Sequence, residues 1–138
     1  DLCISNILYD PRNQIIRLID PRGSFGSVLM YGDPRYDVAK LHHSFIGDYD
    51  FYVNGLFYMD VTSSDVTLQP TIQPRQKDIK RLFINKFIAN RPEDRQVTFI
   101  QSLLFLSMVA LHADRPRAQT AFVARGLLLL QDVLDRME

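Results

Sequence analysis

Residues 99–111 read FIQSLLFLSMVAL, a run that is apolar on nearly every side of a helix. A helix of that composition cannot rest on a surface, because no face of it prefers water; other elements have to enclose it. It is too short to cross the ~30 Å hydrocarbon layer of a bilayer. Gln101, Ser102 and Ser107 also lie within it, so the expected setting is the centre of a globular domain. After Pro74 the pattern is helical in three blocks, with breaks near Asn90-Arg91-Pro92 and near Asp114-Arg115-Pro116. Ile79, Leu82, Phe83 and Phe87 form an apolar face on the first block. The second runs over residues 93–112. The third, residues 117–136, is expected to close the core through Leu127-Leu128-Leu129-Leu130.

With 138 residues, 46% apolar and 23% charged, the chain fits one globular domain with a real core. Sixteen basic and sixteen acidic residues cancel, which leaves no net field drawing the chain to nucleic acid or to an anionic membrane. Neither is expected as a partner. Cys3 is the sole cysteine, so no internal disulfide forms, and an unstapled domain of this size fits a reducing cytoplasm. The first residues lack the basic start and apolar core of a signal peptide.

Before Pro74 the period changes. Ile7, Leu8 and Tyr9, then the turn-forming Asp10-Pro11-Arg12-Asn13, then Ile15, Ile16, Leu18 and Ile19 predict a β-hairpin over residues 6–20, turning around Asn13. Residues 21–27, PRGSFGS, contain two glycines and no periodicity, which predicts a surface loop. Asp33-Pro34 reads as an N-cap with proline in the first helical position. Val38, Leu41 and Phe45 line one face of the helix that follows, and Gly47 can end it. Residues 48–54 are aromatic and acidic, and either a loop or a short helix reaching Phe57 fits them. Residues 61–67 are rich in Ser and Thr, and residues 68–74 form a connection punctuated by Pro70 and Pro74. The expected fold class is mainly α with a short β-hairpin near the N-terminus.

A hairpin that turns at Asn13 returns Asn6 and Asp20 to the same open end, with Asp1 beside them. Two carboxylates and an amide oxygen gathered on a rigid ribbon suit a hard cation such as Mg²⁺, which takes oxygen ligands and keeps waters that a phosphate can replace. Phosphoryl transfer needs these parts: one carboxylate accepts the proton of the attacking hydroxyl, while an Asn and a second Asp hold metal.

The stretch DLCISN resembles the end of the catalytic loop of kinases, an Asp followed five positions later by an Asn. The form it resembles is the HGDxxxxN of the aminoglycoside phosphotransferase and choline kinase superfamily. Residues 15–20 are similar to the strand that leads to that family's metal-binding Asp, and GDPRYDVAK is similar to the GDxxxDLA segment that opens its next helix. The three motifs stand in the family's order over residues 1–40. The resemblance implies the C-terminal lobe of a protein-kinase-like fold. It implies Asp1 as catalytic base, Asn6 and Asp20 as Mg²⁺ ligands, and ATP as co-substrate, with Asp37 bracing the catalytic loop through backbone hydrogen bonds. The implied substrate is the hydroxyl of a small molecule. The wording of IDPRG and YGDPRYDVAKLHHS is also similar to kinase-like proteins of sugar and surface-polysaccharide metabolism, which puts a sugar or sugar-derived alcohol first and an aminoglycoside or amino alcohol second. Pro21-Arg22-Gly23 departs from the family, which places an aromatic or a Trp-Glu-type pair there. Arg22 is either a phosphate or substrate contact or a solvated side chain.

Each residue also has an ordinary reading. Asp20 before Pro21 is a common turn former, Asn6 alone would be a loop residue, and Asp33 is a cap rather than a ligand. Only the ordered spacing favours a site. His42-His43 lack the i, i+4 spacing of paired ligands. Cys3 has no basic neighbour to activate it and reads as a packed thiol. Asp48, Asp50 and their tyrosines read as packed loop residues or as an acidic, aromatic wall for a cation.

A kinase also needs a Gly-rich loop and a strand lysine from an N-terminal lobe to hold ATP, and no such pattern is found in the 138 residues. The chain is therefore expected to be a fragment that is inactive by itself. Its first partner would be the missing N-terminal lobe of the same protein, and pairing into a homodimer through the uncovered surface is a second expectation. The rival reading is a non-catalytic helical interaction domain or a degenerate kinase lobe.

Overall fold

In the computed structural model, which describes residues 1–88 and 95–137, helix outweighs strand by 55% to 17%. The break expected near Asn90-Arg91-Pro92, and the start of the second block at Glu93, lie outside the described residues. The N-terminal hairpin forms: β1 (Ile7–Asp10) pairs antiparallel with β2 (Ile15–Leu18), Asp10 opposite Ile15. Asp10 closes its turn, accepting from the Arg12 and Asn13 amides and, at 2.7 Å, from the Asn13 side chain. These bonds, the Asn13 side chain first, hold its carboxyl below the usual range. The register centres the turn between Arg12 and Asn13, so Asn6 faces Ile19, whose amide donates to the Asn6 carbonyl at 3.0 Å.

Two more hairpins stand where connections were expected. β3 (Ser24–Phe25) and β4 (Val28–Leu29) form a short ribbon within and just beyond the segment expected as a loop. Gly26 turns it at φ +60°, a backbone angle that favours glycine. β5 (Phe57–Val61) and β6 (Val66–Pro70) replace the Ser/Thr-rich and proline-punctuated connection. Pro70 is the last residue of β6, where its missing N–H interrupts no ladder.

Helix α1 (Pro34–Phe45) starts as its sequence predicts, with Asp33 accepting from the Arg35 amide at 2.9 Å. Of the two readings for residues 48–54 the short helix holds, as α2 (Tyr49–Val53), but Phe57 opens β5 rather than ending the helix. Next come α3 (Pro74–Phe83), which runs into a π-helical turn (Ile84–Ile88), then α4 (Arg95–Leu111) and α5 (Pro116–Asp135).

The core lies where α2, α4, α5 and β5 meet, built from Tyr52, Phe57, Phe105, Ala118, Ala121 and Phe122. A second cluster, Ala39, Val97 and Leu104, ties α1 to α4. Helices α4 and α5 approach closely at Gly126, where a Cβ would stand 3.2 Å from the Ser102 carbonyl oxygen. Two expectations are corrected here. Leu127 and Leu128 are about half exposed; of the four leucines Leu129 packs against the core, which α5 closes chiefly through Ala118, Ala121, Phe122 and Val133. On α3 and the turn after it only Phe83 is buried; Ile79, Leu82 and Phe87 are about half exposed, Phe87 stacking on Phe83 with ring centres 5.2 Å apart. No described helix is long and apolar enough to cross a membrane.

Candidate functional site

Asp37, Lys40 and Ser44 recur at helical spacing on one face of α1, and each touches the segment before β1. Asp37 Oδ1 accepts from the Leu2 amide at 3.2 Å and lies 3.0 Å from the Asp1 nitrogen. Lys40 Nζ stands 2.9 Å from Asp1 Oδ1. Ser44 Oγ accepts from the Ile4 amide at 3.4 Å, at the first residue of a short 3₁₀ turn, Ile4–Asn6. Lys40 is only 8% exposed, with its ammonium 6.0 Å from the centre of the Tyr36 ring. A buried ammonium needs a counter-charge, and Asp1 supplies it. Asp1 Oδ1 is itself buried and accepts no aligned hydrogen bond, so the contact is ionic. The carboxylate keeps 27% of its side-chain surface exposed, which leaves Oδ2 as its accessible oxygen.

Asn6 ties the far end of the hairpin to this segment. Its Nδ2 donates to the Asp1 carbonyl at 2.9 Å and to the Asp20 carbonyl at 3.5 Å. Both partners only accept, which fixes the amide with nitrogen inward and leaves Oδ1 as its remaining group. Asp20 has φ +50°. That left-handed conformation is uncommon outside glycine but tolerated by Asp, and such strain clusters at functional sites. Its carboxylate is exposed, and among the described residues it has no hydrogen-bond or ion-pair partner. The structure thus brings Asp1, Asn6 and Asp20 to one end of the β1–β2 ribbon, with Asp37 behind them.

The donor chemistry fits Mg²⁺: an amide oxygen, an uncommitted carboxylate and no nitrogen or sulfur ligand. It is not a complete protein cage, since among the described residues no three His, Cys, Asp or Glu side chains cluster as a metal site. Mg²⁺ commonly binds through one or two carboxylates plus waters and a phosphate, so the sparse set is compatible.

Arg22 is not simply solvated. Its guanidinium packs against the edge-to-face pair of Phe25 and Tyr36, 4.7 and 4.8 Å from ring centres that are themselves 5.1 Å apart. Nη1 donates to Tyr36 Oη at 2.6 Å, and Nε donates to the Ser24 carbonyl at 3.1 Å. This clamp pins the β3–β4 ribbon against α1. Lys40 and Ser44 are the side chains that sequence reasoning missed at the site. The available signal was spacing, since Lys40 lies one turn beyond Asp37 on the same face.

The residues set aside as non-ligands have structural settings. His43 is 1% exposed, with its ring 4.3 Å from Tyr49 and 4.1 Å from Phe105. Burial, helped by the Lys40 charge, pushes its imidazole down to about 3, so it is a neutral core residue. Cys3 is half-buried, its Sγ 3.1 Å from Ser5 Oγ. Asp48 is buried against Lys80 Nζ at 2.9 Å. Asp50 is half-buried with no such partner among the described residues, and burial raises its carboxyl above the ordinary value. It lines a cavity of about 270 Å³ together with Ile4, Phe51 and Asn54.

No family model matches the chain, and no curated protein or solved structure matches it.

Proposed function

We propose that the chain is the catalytic lobe of an ATP- and Mg²⁺-dependent phosphotransferase acting on a hydroxyl of a small molecule, with a sugar or sugar-derived alcohol as first choice. The observation that carries this reading is the Asn6 side chain, whose one amide spans the Asp1 and Asp20 carbonyls. In this mechanism Asp1 Oδ2 accepts the proton of the attacking hydroxyl, and Lys40 holds the carboxylate in place from the Oδ1 side. Asp37 positions the loop by accepting from its backbone. Asn6 Oδ1 and the Asp20 carboxylate would hold Mg²⁺, which neutralises charge on the transferring phosphoryl group when bound.

None of the described strands carries a lysine, and this chemistry takes its phosphate-gripping lysine from a strand of another lobe. An N-terminal lobe of the same protein is therefore part of the proposal, and the 138-residue chain alone should not turn over ATP. A reducing, cytoplasmic setting goes with it. One observation favours the second substrate class, an amino alcohol or aminoglycoside: the half-buried Asp50 carboxylate lines a cavity beside Ile4 and has no ion-pair partner among the described residues, the lining Lys80 being paired with Asp48. One favours the rival interaction-domain reading: Leu29, Met30 and Tyr31 are 71%, 88% and 78% exposed, apolar surface that a protein partner would cover.

Mn²⁺, a paramagnetic stand-in for Mg²⁺, tests the core of the proposal. It should broaden the Asn6 side-chain amide and the backbone amides around Asp20 in an NMR titration, and Asp20→Ala should abolish the effect. Broadening elsewhere only would remove the metal site, and brisk ATP turnover by the isolated chain would remove the two-lobe requirement.

A further inference from the structure

The apolar run over residues 99–111 is only half enclosed by this chain. From Gln96 to Leu111 helix α4 carries no charged side chain, yet one side of it is left to solvent. Phe99, Leu103, Leu106 and Ala110 recur along that side at steps of four, three and four. Helix α5 repeats the pattern with Val123, Leu127, Leu130 and Leu134. Phe99, Leu103, Val123, Leu127 and Leu134 are each between 38% and 53% exposed. Helical geometry turns both stripes from the core: at about 100° per residue, Leu103 points about 160° from the buried Phe105, and Leu127 about 140° from the buried Phe122. The short connection makes the two helices antiparallel neighbours. Their close approach at Gly126, against Ser102 and Leu106, sets the stripes side by side as one face.

Single exposed leucines are ordinary. Two matched stripes on neighbouring helices, neither holding a charge, are not, because a surface helix normally turns polar side chains to water. Alternating steps of four and three give the 3.5-residue period by which helices pack in coiled coils and four-helix bundles.

Size, charge and shape together select a second copy of this chain as the cover. Helix α4 is 17 residues long, so the face is about 25 Å long and, across two helices, about 20 Å wide. Two such faces bury roughly 1,000 Å² in all, which is what a specific interface needs. The stripes present no charge for an oppositely charged partner to read, and a chain with a net charge of zero does not repel its copy. On α4 the largest stripe residue, Phe99, lies towards one end and the smallest, Ala110, towards the other. An antiparallel twofold pairing therefore sets each Phe99 against Ala110 of the other copy.

We propose that the chain pairs with a second copy of itself through the outer faces of α4 and α5, closing a four-helix bundle about a twofold axis. The site at Asp1 is built on α1 and the β1–β2 ribbon, so the pairing does not depend on the phosphotransfer reading.

Sedimentation equilibrium of the 138-residue chain is the test. A reversible dimer of twice the 16.0 kDa chain mass should form below about 100 μM. Leu103→Glu and Leu127→Glu each put a charge into the closed face and should raise the dissociation constant at least about tenfold. Both side chains are half exposed in the single chain, so far-UV circular dichroism should show both variants folded. Met30→Glu, at a separate exposed apolar site, should leave the dimer unchanged. A measurement without any variant is an isotope-filtered NOE spectrum of mixed labelled and unlabelled chain, which should connect the Phe99 ring to the Ala110 methyl between copies. The two are about 16 Å apart along one helix, too far for a contact within a chain. A chain that stays monomeric at about 100 μM overturns the proposal and assigns the face to another segment or another protein. So does a dimer that Met30→Glu breaks and Leu103→Glu does not.

Discussion

Replacing Lys40 by Met removes the ammonium that faces Asp1 Oδ1 at 2.9 Å while keeping an unbranched stem beside Tyr36. Unit charges at that distance attract by about 6 kcal/mol at an effective dielectric of about 20. Desolving each ion costs several kcal/mol, so the pair's net contribution is small. Removing one partner is another matter. In Lys40→Met the Asp1 carboxylate can still turn an oxygen to water, which sets the loss at about 2 kcal/mol. In Asp1→Asn a lysine only 8% exposed loses its counter-ion, and the loss should reach about 3 kcal/mol. The double variant, with neither charge, should lose about 2 kcal/mol, which gives a coupling of about 3 kcal/mol. The chain has no tryptophan, so urea unfolding followed by far-UV circular dichroism is the suitable assay. Losses that add to within about 0.5 kcal/mol would show that the two charges do not depend on one another, and the account of how Asp1 is held would fall.

The buried His43 imidazole is pushed from 6.5 down to about 3, so the native state stays neutral while the unfolded chain gains a proton. Its effect is nil above pH 6.5 and removes about 1.4 kcal/mol of stability per pH unit below it, towards pH 3. The wild type should thus lose about 2 kcal/mol more than His43→Leu between pH 6.5 and 5; equal pH slopes in urea midpoints would refute this. Gly47→Ala would put a Cβ 2.6 Å from the His43 carbonyl oxygen, a backbone clash that should cost about 2 kcal/mol; a neutral result by thermal unfolding would mean that the turn yields. Asp20→Gly relieves a residue at φ +50°, so stability should hold or rise by up to about 1 kcal/mol while Mn²⁺ broadening of the Asn6 amide disappears. A loss of more than about 1 kcal/mol would mean that the Asp20 side chain is structural.

Local chemistry was readable. The Asp33-Pro34 start of α1 and the hairpin around residues 10–13 are set by neighbours in sequence, and both form there. The bond from the Leu2 amide to Asp37 spans 35 residues, and only an ordered set of motifs brought those two residues into one reading. The β5–β6 hairpin was hidden because the polar tip at residues 62–65 and Pro70 mask a weak alternation. The face by which α5 meets the core was hidden for another reason. Periodicity offered its four consecutive leucines, but Ala118, Ala121 and Gly126 are the small residues that let α4 approach, and depth of approach is invisible to a hydropathy pattern. That the outer stripes of α4 and α5 form one face is likewise tertiary, since it depends on the two helices meeting at Gly126.

The two faces of α1 have a consequence for how this chain can change length. A helix turns about 100° per residue. One residue inserted between Asp37 and Ser44 would leave Asp37 on the Leu2 amide but swing Ser44 away from Ile4, and would carry His42 and His43 out of their places on the far side. Deletion does the same in the other direction. Divergent versions of this chain should therefore keep the Asp37-to-Ser44 spacing fixed even where every surface residue has changed. Length variation should collect at the exposed tip between β5 and β6, where neither face of α1 is involved.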